Sequence, residues 1–156
     1  MPLSSSAIST RSPLDIRIRH EQPADFAATE ALALAKTSGG KVTALHVHPP
    51  YPGTPYGHFG PAENVVEQAY LDQQRTAATE LCRDIEAQAM TAGIPVETRI
   101  ARGSDVYRKI INTAAEEGCD LICMASHGRR GISGLLLGSE TQKVLTHSTM
   151  PVLVLR

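Results

Sequence analysis

Residues 124–140 read MASHGRRGISGLLLGSE, and this stretch decides how the rest of the chain is interpreted. An apolar run ends at Ala125 in a loop that contains Gly128, and Gly138-Ser139 then begins a segment with helical spacing. Glycine lets a ligand approach the backbone closely, and a helix N-terminus offers unpaired N–H groups and partial positive charge. The stretch therefore predicts a nucleotide-phosphate site, although glycine-bearing junctions of this kind also occur in α/β proteins without a ligand.

Strand-like and helix-like segments alternate along the rest of the chain. This alternation predicts an α/β fold, with a mostly parallel sheet covered by helices on both faces and ligands beyond the carboxyl ends of the strands. Ser104 is the expected N-cap of one helix, and Ser139 with Gln142 fits a capping box at the start of another. The expected strands are 14–19, 42–47, 96–101, 121–125 and 151–155, and the expected helices are 23–38, 62–92, 104–117 and 139–146.

Composition limits the class of protein. The 156 residues fit one domain, which we place at 14–156 after a flexible arm at 1–13. A net charge of −1 gives no general attraction to nucleic acid or to an anionic membrane, and no apolar run is long enough to span a bilayer. Three cysteines do not make a disulfide framework, so we expect a cytoplasmic protein. The cysteine and histidine spacings predict no metal site.

The C-terminal third resembles the universal stress protein family. The resemblance rests on Ala125 to Gly128, the nine residues that separate Gly128 from Gly138-Ser139, and the ending Pro151-Val152-Leu153-Val154. It implies a flavodoxin-like, adenine nucleotide alpha hydrolase-like three-layer fold with a five-stranded sheet. It also implies a homodimer through residues 151–155 and, in one branch of the family, bound ATP or another adenine nucleotide.

The resemblance also implies which residues meet the nucleotide. Gly128, Gly138 and Ser139 fall on phosphate and ribose positions, and the backbone of Val47 falls beside the adenine. The sequence departs from the family pattern at two positions: Ala125 stands in place of the first glycine, and at the end of the first strand Arg19 stands in place of an acidic residue of ATP-binding members. The candidate site comprises Arg19, Val47, Ala125, Ser126, His127, Gly128, Gly138, Ser139 and Glu140.

The first strand leaves two functions open. Leu14, Ile16 and Ile18 alternate with charged residues, whereas a central parallel strand is normally apolar on both faces. The arginines of this strand either contact an anion, pair with protein carboxylates, or belong to a displaced strand. We therefore expect either an adenine-nucleotide-binding regulatory module or a dimeric interaction protein with a degraded nucleotide site. A third function, weak nucleotide hydrolysis, has no catalytic base or metal-binding carboxylate in the sequence to support it, so we expect a binding protein and not an enzyme. The sequence does not identify a protein partner.

Overall fold

The computed structural model describes residues 23–48, 50–53, 61–126 and 137–155, in which helices and strands alternate. This alternation confirms the α/β class. The helices are α1 (Pro23–Ser38), α2 (Pro61–Ala92), α3 (Val106–Glu116) and α4 (Ser139–His147), and the strands are β1 (Val42–His48), β2 (Val96–Arg102), β3 (Ile122–Ala125) and β4 (Val152–Leu155).

The four strands form two parallel pairs. β1 pairs with β2, from Val42 opposite Val96, and β3 pairs with β4, from Ile122 opposite Val152. The arm expected at 1–13 and the strand expected at 14–19 lie outside the described residues. The five-stranded sheet therefore stays a prediction, whereas the parallel sense of the strands is confirmed.

Two apolar layers bind the strand pairs together. The first layer packs α1 and α2 against Ala44 of β1 and Cys123 of β3. The second layer packs α3 and α4 against Val47 of β1 and Met124 of β3. Successive side chains of a strand point to opposite faces, so each of these two strands contributes to both layers. Helices consequently cover both faces of the strands, as the sequence predicted.

The helix boundaries differ from the sequence prediction at several positions. α2 begins at Pro61, one residue early, because proline suits the first helical position, where no intrahelical N–H bond is needed. α3 begins at Val106, and its N-cap is Asp105 and not Ser104. Gly93 ends α2 in the left-handed region, with φ of 71°, as its sequence position indicated. No helix within the described ranges has the length and apolar character needed to cross a membrane.

Charged side chains cover the outer strand of the first pair. Glu97 on β2 contacts Lys41 at 3.1 Å and Arg99 at 2.8 Å, and Arg99 continues to Glu117 at 3.1 Å. β4, the outer strand of the other pair, consists of valine and leucine alone and is half-buried along its length. The two outer strands thus present different chemistry to their surroundings.

Candidate functional site

One hydrogen bond places the starts of two helices side by side. The backbone N–H of Tyr107, in the first turn of α3, donates to Oε2 of Glu140, in the first turn of α4, over 2.9 Å. α3 follows the end of β2, and α4 follows the end of β3. Since β1 runs parallel to β2, the carboxyl ends of β1, β2 and β3 lie at one end of the molecule, which we call the carboxyl edge.

Backbone hydrogen bonds fix the junction between β3 and α4 at this edge. The N–H of Ser126 donates to the carbonyl of Leu155 over 2.7 Å, and the N–H of Gly138 donates to the carbonyl of Ser126 over 2.8 Å. Both backbone groups of the buried Ser126 are therefore occupied within the protein. The start of α4 is consequently held directly against the end of β3.

The first turn of α4 has N–H groups that find no acceptor in their own helix. Gly138 is the N-cap, and its carbonyl accepts the first helical hydrogen bond, from the N–H of Gln142 over 3.0 Å. The N–H groups of Ser139, Glu140 and Thr141 have no intrahelical acceptor, because the first turn of an α-helix has none to offer. Partial positive charge accumulates at the same place, so this turn can receive an anion.

The expected capping box at Ser139 is wrong. Gly138 occupies the cap position, and the amide of Gln142 donates to the carbonyl of Leu137 over 2.9 Å instead. The φ of −59° at Gly138 is open to any residue, so this position does not need glycine for its conformation. The hydroxyl of Ser139 is released from capping and lies on an exposed residue at the carboxyl edge.

The expected cap at Ser104 is also wrong. Asp105 precedes α3, but its side chain makes no capping hydrogen bond. The carboxylate of Glu140 satisfies the N–H of Tyr107 in its place, across 33 positions of sequence. Lys143 contacts the other oxygen of Glu140 at 2.6 Å, so most of this negative charge is balanced where it lies. Glu140, a candidate nucleotide contact, thus has a structural role between two helices.

The other described candidates lie at the carboxyl edge as well. Val47 is fully buried next to the last residue of β1, and Ala125 is buried at the end of β3. The buried Thr141, which the sequence analysis missed, donates its hydroxyl to the carbonyl of Ala125 over 3.2 Å. A threonine three residues after a helix N-cap carries no signal of this long-range contact. The structure therefore gathers Val47, Ala125, Ser126, Gly138, Ser139 and Glu140 at one edge.

The remaining candidates, Arg19, His127 and Gly128, lie outside the described residues. His46 and His48 on β1 have ring centroids 6.4 Å apart. Among the described residues no group of three histidine, cysteine, aspartate or glutamate side chains is arranged to hold a metal ion.

Comparisons with known proteins agree with this architecture. The universal stress protein family model matches residues 18–156. The universal stress protein YxiE of Bacillus subtilis is 30% identical over 130 residues, which are 81% of this chain and 86% of that protein. The family match covers the junction of β3 with α4 and extends over most of the chain.

Two solved structures show the same fold. The universal stress protein UspA from Lactobacillus plantarum has a TM-score of 0.77 at 24% identity, covering 94% of this chain and 100% of that one. A universal stress protein from Archaeoglobus fulgidus in complex with dAMP has a TM-score of 0.59 at 18% identity, covering 94% of this chain and 98% of that one. Given the family match over nearly the whole domain, the chain belongs to the universal stress protein family.

Proposed function

We propose that this protein is a stress-response module that binds an adenine nucleotide, ATP or a related species, at the carboxyl edge. The observation that carries the proposal is the first turn of α4. Its N–H groups, which have no acceptor within the helix, and the hydroxyl of Ser139 lie beside the end of β3 because Gly138 bonds to Ser126, and this position favours a phosphate group. The Archaeoglobus relative, whose complex contains dAMP, supports an adenine nucleotide as the ligand.

The local charges permit an anion at this turn. Glu140 is the acidic residue in the first turn of α4, and its two oxygens contact Lys143 and the N–H of Tyr107. The carboxylate is therefore committed to α3 and to a cation on its own helix. A phosphate at the N–H groups of α4 would meet the helix dipole without an unbalanced carboxylate beside it.

Substitution of Gly138 by valine tests the site. The extended backbone of Gly138, with ψ of 148°, accepts a β-branched residue, so Gly138→Val should fold and fill the space in front of the helix. We expect titration calorimetry to show ATP and ADP binding in the parent and none in Gly138→Val. The control Thr149→Val changes an exposed residue beyond the opposite end of α4 and should bind as the parent does. Equal affinity in parent and Gly138→Val would place the nucleotide elsewhere.

The proposal includes binding without turnover. A regulatory module should return ATP unchanged after prolonged incubation with the purified protein. Release of ADP that is abolished by Gly138→Val would contradict this part of the proposal and would indicate a hydrolase.

The second candidate function is a dimeric interaction protein without a nucleotide, and the edge of β4 favours it. Within the described residues β4 pairs with β3 alone, and its four apolar residues are half-buried. An unpaired strand edge of this kind can pair with a second copy of itself. We expect Val154→Asp, shown to be folded by circular dichroism, to shift the protein towards monomer in light scattering. An unchanged mass would exclude this interface.

Arg19 distinguishes the two candidate functions. If its guanidinium pairs with a protein carboxylate and obstructs the nucleotide, Arg19→Asp should increase ATP binding. If it contacts phosphate, the same substitution should weaken binding by roughly 1.5–3 kcal/mol, because a charge-assisted contact is lost. Analysis of small molecules released from the denatured protein would show independently whether the chain carries a nucleotide as purified.

A further inference from the structure

An open groove of about 530 Å³ lies between helices α1 and α2, on the face of the strands that the first apolar layer covers. Its walls are mainly aliphatic: Leu32 and Ala33 come from α1, and Ala87 and Ala92 come from α2. The volume is within the range of roughly 300–1,000 Å³ that is typical of small-molecule sites. The groove belongs to the α1–α2 side of the strands, whereas the first turn of α4 belongs to the other side.

Two polar side chains are available to a ligand in this groove. The ammonium of Lys36 and the carboxamide of Gln88 both line it, and neither makes an ion pair or side-chain hydrogen bond with any described residue. The hydroxyl of Thr91, which also lines the groove, is already occupied, because it donates to the carbonyl of Ala87 over 2.9 Å. The groove therefore presents an aliphatic surface, with one cation and one amide that have no partner among the described residues.

We propose that this groove binds a free aliphatic carboxylate of medium chain length. The aliphatic body would lie along Leu32 and the neighbouring alanines, and the carboxylate would contact Lys36 and the amide of Gln88. Lys36 has no carboxylate partner in the part of the chain that the structure describes, and such a cation favours an acid over a neutral lipid, since the charged hydrogen bond is gained only with the anion. No nucleotide takes part in this site, so the proposal stands independently of the carboxyl edge.

The length of the groove limits the ligand. Thr29 and Lys36, at its two ends on α1, are seven residues apart, which corresponds to about 10 Å along the helix axis. A helix or strand from another protein would contact only two turns of α1 over this distance. A short flexible chain with a single polar head can span this length.

Decanoate and decanol test the proposal in a single set of titrations. We expect calorimetry, below the micelle concentration and at neutral pH, to show binding of decanoate to the full chain and weaker binding of decanol. Lys36→Gln should weaken the binding of decanoate about tenfold and leave the binding of decanol unchanged, because only the acid contacts the ammonium group. The control Lys109→Gln removes an exposed lysine of α3 and should bind both compounds as the parent does.

A second variant keeps the test informative if the head group is misassigned. Ala33→Trp fills the groove from an exposed helical position and should abolish binding of both compounds. Ala77→Trp, on the exposed surface of α2 outside the groove, should not. Three results would each overturn the proposal: decanoate does not bind to the parent, Lys36→Gln binds decanoate as tightly as the parent, or Ala33→Trp still binds the two compounds. A lower molecular mass of Ala33→Trp in light scattering would do so as well, because a second copy would then occupy the groove.

Discussion

The hydrogen bond between Glu140 and the first turn of α3 leads to a quantitative prediction about stability. Glu140→Ala removes a carboxylate that is 19% exposed and accepts a hydrogen bond from the backbone N–H of Tyr107. A hydrogen bond to a charged group contributes about 1.5–3 kcal/mol, and an acidic side chain near a helix N-terminus adds about 0.3–1 kcal/mol. The exposed Lys143 adds little, because solvent screens its contact. We expect a loss of about 2 kcal/mol in the free energy of unfolding.

Glu140→Gln separates the hydrogen bond from the charge. The amide oxygen of glutamine can still accept the N–H of Tyr107, so we expect a smaller loss of about 1 kcal/mol. Glu80→Ala is the matched control, because Glu80 is exposed on α2 and makes no side-chain hydrogen bond or ion pair with a described residue. Its stability should stay within about 0.5 kcal/mol of the parent, as is usual for such surface positions.

Urea unfolding monitored by circular dichroism measures all three variants. The midpoint should fall in the order Glu80→Ala, Glu140→Gln, Glu140→Ala, while the slope with urea stays constant. A midpoint of Glu140→Ala equal to that of Glu80→Ala would refute the reasoning, because α3 would then need no cap from α4. A changed slope would mean that the two unfolding free energies cannot be compared.

Three further predictions follow from burial and charge. The hydrogen bond from Lys41, together with the charge of Lys41, lowers the pKa of Glu97 below its ordinary value of 4.5. The ionised Glu97 therefore stabilises the folded state above pH 4.5, and this stabilisation is lost as the pH falls through the lowered pKa of the folded state. Glu97→Gln should therefore lower the free energy of unfolding by less than about 1 kcal/mol at neutral pH and leave it unchanged in strong acid, as acid unfolding curves would show. Ile110→Ala, at a fully buried site, should cost about 2–5 kcal/mol in urea unfolding. Burial raises the pKa of the Cys82 thiol above 9.0, so iodoacetamide at pH 8 should modify the half-buried Cys119 well before Cys82, as peptide mass mapping would report.

The order of elements was predictable because its signals are local. Aliphatic runs marked β1 and β3, and glycine after each long helix marked where it ends, since Gly93 needs a left-handed conformation that other residues resist. Such signals act within a few residues, so they do not depend on the fold. The lengths of β1 and α4 were accordingly correct to within one residue.

The caps of α3 and α4 were not predictable in the same way. Ser104 and Ser139 have the residue type of an N-cap, but each helix begins at a position set by contacts with distant residues. The N–H of Gly138 bonds to Ser126, which fixes where α4 can begin, and Glu140 supplies the acceptor that α3 lacks. Local propensity competes poorly with tertiary hydrogen bonds at helix ends.

The candidate site was predictable in position more than in detail. The rule that ligands lie beyond the carboxyl ends of parallel strands leads directly to Val47, Ala125 and the start of α4. The backbone roles of Ser126 and Gly138 could not be assigned from sequence, because the first depends on how β4 returns beside β3 and the second on how closely the start of α4 approaches the end of β3.

The charged side chains on β2 have a consequence for the size of any assembly. Glu97 and Arg99 hold one another and the flanking Lys41 and Glu117, so a second strand docking there would have to desolvate or break these contacts. β4 raises no such obstacle. A protein with two receptive edges can add copies head to tail into a fibre, whereas one receptive edge permits a single self-pairing that closes on itself. If two copies pair through β4, as proposed above, the charges on β2 disfavour growth through strand edges beyond that pair.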